Sequence, residues 1–292
     1  MPVDHEIDSR NENIQIYING SFYHRDEAKI SVYDSGFLMG DGIWEGLRLV
    51  NNKWIFIDEH IDRLFEGCKA IDLDIKMTKE DIVNALDETK AINNMSNEVH
   101  ARLMITRGNK SKPFQQPHLS ESGINIVIIM EHSKPSIDVK NITMVTVPQV
   151  RGMPMSQDPK LNSHSKLNCI LACIQANKLG ADEALMLDPL GFVNTTNSCN
   201  FFIVKNNQVW TSTGDYCMNG VTRQNIINLC KENDIPIYEK NFSLVDVYSA
   251  DEAFITGTLG SLTNVTSIDN RNIGKDNNPI SDKLRNCYKK LL

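Results

Sequence analysis

The 292-residue chain has no long hydrophobic run: its most apolar stretch, "INIVIIM" from Ile124 to Met130, is far shorter than the roughly 20 residues a membrane helix needs. The first residues, "MPVDHEIDSRNEN", contain no apolar signal core, so a soluble, cytoplasmic protein is expected. There is no dense Lys/Arg block and the formal net charge is −7, which argues against nucleic acid or an anionic membrane as partner. The seven cysteines are odd in number and form no CxxC pair, so neither a disulfide framework nor a zinc site is expected, and no metal is assigned. Cys169 and Cys173, one helical turn apart, read as small buried side chains. Low-complexity tracts and repeats are missing too. What remains is a globular chain, 41% hydrophobic, suited to a small-molecule partner.

Helix and strand signals alternate along the length. "IQIYING" and "SFY" read as strands about an Asn19-Gly20 turn, and "GIWEGLRLV" and "WIFI" as a second pair about Asn51-Asn52. A helix capped by Asp58 follows, with Ile61, Leu64, Phe65, Cys68 and Ile71 on one face. Thr78 with Asp81 three residues on predicts another helix start, and "VHARLMITRG" and "INIVIIM" return to strand. The polar, Pro135-containing stretch "EHSKPSIDVKN" suggests a boundary between an α+β unit of residues 1–134 and a second of residues 135–292. There, "ITMVTV", "ALMLD", "NFFIV", "QVW" and "EAFITGT" read as strands. Helices are expected along Leu167, Ile170, Leu171 and Ile174, from Thr222 onward, and over "PISDKLRNCYKKLL".

Two stretches suit an anion. "MNGVTRQNII" puts glycine and small polar residues at a helix start, where backbone N–H groups attract phosphate, though an ordinary N-cap explains it equally. "ITGTLGS" runs a strand into a hydroxyl-bearing glycine turn. Arg63 borders the apolar face of its helix and either points inward or snorkels.

In order and spacing, "DSGFLMGDGIWEGLRL…IFIDEHIDRL", "ARLMITRG", "LGADEALMLDPLGFV", "NFFIV…VWT", "MNGVTR" and "ITGTLGSLTNV" resemble the class IV aminotransferases, from about Ile14 to the C-terminus. That family includes branched-chain and D-amino acid aminotransferases and aminodeoxychorismate lyase. The resemblance implies an α+β, fold-type IV pyridoxal 5'-phosphate enzyme: a small N-terminal domain, a larger one around a β-barrel-like sheet, and a homodimer. It further implies that Arg63, Val221, Thr222 and Thr258 bind the cofactor phosphate. Trp44, Arg48 and Arg102 would line the substrate side, with Arg102 pairing a substrate carboxylate through its guanidinium fork. Arg48 is equally explicable as an exposed strand charge.

Two positions depart from the family pattern. Where the family has a carboxylate against the pyridine nitrogen, this chain has Thr195, so the ring would be a weaker electron sink. Where the family has the lysine that bonds the cofactor aldehyde, this chain has Asn162, with Lys166 four residues on. A continuing strand would carry the root of Lys166 about 13 Å away, whereas a helix capped by Ser165 would let its amine swing back. Lys160 lies upstream beside Pro159 and is expected in solvent, and His164 is a further candidate base. The expected function is transamination of a small amino or keto acid with Lys166 as the amine. A lyase or racemase, or a catalytically silent relative, stands as the alternative. After the "TRG" turn the chain offers Lys112 and Phe114 rather than the Arg-x-His element of D-amino acid enzymes, which disfavours that substrate class.

Overall fold

Asn19 and Gly20, both with positive φ, turn β1 (Gln15–Ile18) into β2 (Ser21–His24), as the turn chemistry predicts. The same device works at Asn51 and Asn52, which join β3 (Gly42–Val50) to a short β4 (Lys53–Trp54) after the one-turn α1 (Ser35–Met39). This computed structural model describes residues 8–133, 141–274 and 277–292. Two compact units form: residues 8–133 with Leu161–Ser165, and the remainder of the described residues. The boundary expected between residues 134 and 135 falls outside the described residues.

In the first unit α2 (Ile57–Ala70) and α3 (Lys79–Ile92) precede β5 (Val99–Thr106) and β6 (Asn125–His132). The strands form one sheet in the order β2-β1-β6-β5-β3-β4. Ile61, Leu64 and Cys68 of α2 and Ile82 and Leu86 of α3 bury their helical stripe with Leu47, Leu49, Leu103 and Ile128 of the sheet. Thr78 and Asp81 form the expected capping box. Asp58, expected as a cap, lies inside the first turn of α2; the cap position is Phe56, whose backbone is left-handed at φ 53° and which makes no side-chain cap bond.

The second unit runs β7 (Ile142–Thr146), α4 (Pro154–Gln157), α5 (Leu167–Lys178), β8 (Glu183–Leu187), β9 (Val193–Thr196), β10 (Asn200–Lys205), β11 (Gln208–Thr211) and α6 (Val221–Glu232). It continues through β12 (Ile237–Glu239), α7 (Leu244–Tyr248), β13 (Glu252–Gly257), β14 (Ser261–Ile268), β15 (Arg271–Asn272) and α8 (Pro279–Lys289). Its sheet passes β10-β13-β14-β7-β8-β9 and returns to β10 through the Asn200–Thr195 pair, which closes it as the expected barrel-like sheet. Phe201, Ile203, Ile255 and Val265 fill its apolar core. The apolar row expected to bury α5 is instead exposed, from 67% at Leu167 to 44% at Ile174, while the small Ala172 and Ala176 pack inward. Cys169 and Cys173 are correspondingly half-buried rather than buried, and Arg151 donates to Cys169 Sγ at 3.1 Å. No described helix is long and apolar enough to cross a membrane.

Candidate functional site

Side chains alternate across β3, so Ile43, Glu45, Leu47 and Leu49 all face the core, and Glu45 is the one that is charged. A carboxylate there is costly unless paired. It is paired twice over: Arg63 donates from Nε to Oε1 at 2.7 Å and from Nη2 to Oε2 at 2.7 Å, and His60 Nδ1 lies 2.8 Å from Oε2. Both partners come from α2, three residues apart and so on one helical face. Burial pushes the Glu45 carboxyl up, but the hydrogen bonds and charges of Arg63 and His60 outweigh it and hold the carboxyl below the usual range. Arg63 therefore points inward, and its fork is fixed by a buried carboxylate.

The opposite face of β3 carries Trp44, Gly46 and Arg48, in register with Met104, Arg102 and His100 of β5. The Arg102 guanidinium stacks 3.8 Å from the Trp44 ring centroid. Arg48, which alternatively read as an exposed strand charge, is 7% exposed. Burial, and then the Arg102 charge, push His100 down to about 4. Gly46 leaves it room, because a Cβ there would lie 3.2 Å from His100 Nε2. His100 is thus neutral when folded and protonates more readily when unfolded. Stability tied to it is present above about pH 6.5 and falls as pH drops toward 4. His100→Gln is expected to flatten the stability profile across that interval by roughly 2 kcal/mol in urea unfolding at several pH values.

Leu161–Ser165 folds with the first unit and lies along β3. Trp44 N–H donates to the Asn162 carbonyl at 2.9 Å, His164 N–H donates to the Gly42 carbonyl at 2.9 Å, and the Trp44 indole donates to the Ser163 carbonyl at 3.1 Å. Gly42 permits this approach: a Cβ there would fall 2.5 Å from the Ile105 carbonyl oxygen and 2.8 Å from His164 Cδ2. Asn162 is 4% exposed, and its Oδ1 has no hydrogen-bond partner among the described residues.

The Ser165 cap expected for the next helix does not form. α5 begins at Leu167 with Lys166 at its cap position and no side-chain cap bond, while Ser165 Oγ donates to the Gly40 carbonyl at 3.3 Å. Residues 162–164 are engaged with β3, so the chain is not helical there. Lys166 is half-buried and Lys160 exposed.

In the second unit Thr195 sits at the barrel seam, 4% exposed, with Oγ1 donating to the Cys199 carbonyl at 2.5 Å. Cys199 N–H returns a bond to Thr196 Oγ1 at 2.7 Å. The carboxylate belonging to this turn is the buried Glu183 on β8, which accepts from Ser198 Oγ at 2.9 and 3.2 Å. Burial, and then the Glu183 charge, push the Cys199 thiol up to about 12, so it is inert as a nucleophile at neutral pH.

α6 starts at Val221 behind Gly220, with no side-chain cap, and Val221 and Thr222 are buried. Its N-cap glycine brings no side-chain acceptor to the first N–H groups, which have no intrahelical acceptor, an arrangement suited to an anion. A Cβ on Gly220 would collide with Asn200 Oδ1, and Asn200 Nδ2 donates to the Met218 carbonyl at 2.9 Å, which fixes the loop leading into the helix. Thr258 is half-buried in the turn after β13.

Each unit therefore presents groups suited to phosphate: Arg63, fixed by Glu45, in the first, and Val221, Thr222 and Thr258 in the second. Each set, taken by itself, has donor chemistry that a phosphate accepts. Thr195, which the resemblance puts at the ring nitrogen, offers no charge, and Asn162, which it puts at the aldehyde, offers no amine. Sequence reasoning missed Glu45, His60 and Glu183; the signal for Glu45 was an acidic residue on the apolar parity of an alternating strand. Among the described residues no group of His, Cys, Asp or Glu could hold a metal ion.

The sequence profile described as "Amino-transferase class IV" matches residues 42–268. "Branched-chain-amino-acid aminotransferase-like protein 2" of Arabidopsis thaliana is 36% identical over 283 residues, 96% of this chain. This chain spans about half of that relative's length, 51%. The "Putative branched-chain-amino-acid aminotransferase" of Methanocaldococcus jannaschii is 37% identical over 281 residues, 95% of this chain and 96% of that one. Among solved structures, the branched-chain aminotransferase of the thermophilic archaeon Thermoproteus uzoniensis, crystallised with norvaline, superposes with a TM-score of 0.87 at 26% identity, covering 95% of this chain and 94% of that one. With the family profile matched from β3 through β14 and relatives matched over nearly its whole length, the chain belongs to the class IV aminotransferases, with the fold-type IV architecture.

Proposed function

We propose that the chain is a pyridoxal 5'-phosphate-dependent aminotransferase of the branched-chain type, acting on a small amino acid and a 2-keto acid. The observation that carries this is the start of α6, where the N-cap is Gly220 and brings no side-chain acceptor to the N–H groups of the first turn, as suits a phosphate. Arg63, Val221, Thr222 and Thr258 hold the phosphate, and Thr195 lies at the ring nitrogen. When bound, the cofactor supplies the electron sink for breaking bonds at the substrate α-carbon. Arg102 pairs the substrate carboxylate, with Trp44 and Arg48 lining the same face of the sheet. Lys166 is the amine that bonds the cofactor aldehyde and carries the proton.

The proposed domain extents are 1–134 and 135–292, save that Leu161–Ser165 of the second stretch folds with the first unit. A cytoplasmic homodimer completes it, and the exposed row of Leu167, Ile170, Leu171 and Ile174 gives such a dimer apolar surface to bury. Nucleic acid and membrane are not among the proposed partners. Borohydride reduction followed by peptide mapping is expected to find the pyridoxyl mass on Lys166. Bound cofactor without a reducible bond would reject that assignment, and ammonia release without added keto acid would mark a lyase instead.

A further inference from the structure

We propose that Asn219 is a site of self-modification: the Gly220 nitrogen displaces ammonia from its side-chain amide, and the carboxylate that results weakens anion binding at the start of α6. The second half rests on the cofactor assignment above; the first half stands without it.

The chain has two Asn-Gly pairs, Asn19-Gly20 and Asn219-Gly220, and both asparagines are exposed. A following glycine has no Cβ to hinder its nitrogen from reaching the asparagine amide carbon. The fold treats the two pairs differently. Asn19 is fastened in the turn between β1 and β2, where its Oδ1 accepts from the Ile126 N–H at 2.7 Å and its Nδ2 donates to Asn125 Oδ1 at 2.9 Å. Asn219 lies in neither strand nor helix, one residue before the N-cap of α6. Among the described residues the Gly220 N–H donates to no backbone acceptor. Gly214, at φ 87°, lets Asn219 Oδ1 come close, since a Cβ there would collide with it. Arg223 Nη1 lies 3.5 Å from the same oxygen. A guanidinium at that place draws electrons from the amide carbon and stabilises the oxyanion that forms on attack.

In the step, the Gly220 nitrogen bonds to Asn219 Cγ and the Cγ–Nδ2 bond breaks. Ammonia leaves, carrying the proton that the Gly220 nitrogen gives up. The five-membered imide then takes up one water and opens at either carbonyl, to aspartate or to isoaspartate, so water is the only co-reactant. The new carboxylate stands beside the first-turn N–H groups of α6 and within reach of Arg223, where it satisfies the positive end of the helix and repels a second anion. Isoaspartate also lengthens the backbone before Gly220 and shifts the N-cap.

The full-length protein is incubated at mildly alkaline pH, folded and in urea, and tryptic peptides 206–223 and 11–25 are mapped by mass. Asn219 is expected to convert about tenfold or more faster than Asn19 in the folded protein, with the two within about threefold of each other in urea. Asn219→Gln, whose longer side chain closes the ring poorly, should leave peptide 206–223 unmodified. Equal rates in the folded protein, faster conversion at Asn19, or modification of that peptide persisting in Asn219→Gln would overturn the site. In calorimetric titration with pyridoxal 5'-phosphate, Asn219→Asp is expected to bind about fivefold or more weakly than the parent, with thermal melting to report that it is folded. Unchanged affinity would overturn the effect on α6 and leave the modification standing. A parent protein that binds no pyridoxal 5'-phosphate would overturn the cofactor reading instead.

Discussion

Replacing Arg63 with methionine is expected to destabilise the protein by about 3–5 kcal/mol, because it leaves the Glu45 carboxylate in an apolar interior without its main partner. Glu45 is fully buried between Ile43 and Leu47, and two guanidinium bonds of 2.7 Å compensate its charge. The pH dependence should also change sign. In the intact protein the folded carboxyl is held below its unfolded value, so its contribution is fully present above about pH 4.3 and is lost as pH falls through the lower folded value. Without Arg63, burial becomes the dominant influence, the folded value rises above the unfolded one, and the variant should gain stability on acidification through that range. Urea unfolding between pH 4 and 8 checks both the size and the slope; a variant with the parent's slope would show that Arg63 is not the compensating charge. Glu45→Leu combined with Arg63→Met is expected to recover part of the loss, since a neutral apolar pair needs no compensation.

Arg102→Met is expected to lower kcat/KM by about 100-fold or more in a transamination assay at saturating cofactor, with most of the effect in KM. The guanidinium is more than a charge at this position. Its central carbon lies over Trp44, 3.8 Å from the ring centroid, a cation–π contact that helps to hold the fork in place for a carboxylate. Lysine would keep the charge and lose both the fork and the stack, so Arg102→Lys should recover only a minor part. An unchanged KM in Arg102→Met would move the carboxylate elsewhere, with Arg48 on the same sheet face as the next candidate.

Local rules made much of the architecture legible. The Asn-Gly and Asn-Asn turns, the Thr78–Asp81 capping box and most of the alternating strands declare themselves within a few residues, but "WIFI" keeps strand only at Trp54, and its Ile57 begins α2. Interactions between distant residues were not legible. The partner of Arg63 lies 18 positions upstream on a strand, and Asn162 meets Trp44 across more than 100 residues of chain, distances over which spacing rules say nothing. The start of α5 departs from expectation for a related reason: Ser165 has the chemistry of a cap, but its hydroxyl goes to Gly40. The apolar period of α5 correctly marked one face, and only the fold showed that face to be outermost. For the candidate site, the motifs mark the side chains themselves, whereas what holds each of them is set by tertiary contacts such as Arg63 to Glu45.

The barrel closes at a single residue pair, and that pair includes Thr195, whose hydroxyl proton already belongs to the Cys199 carbonyl. Thr195→Asp would set a negative oxygen against that carbonyl and is expected to loosen the seam. The seam thus depends on a hydroxyl at position 195 as a donor, a duty that a carboxylate has no proton to perform.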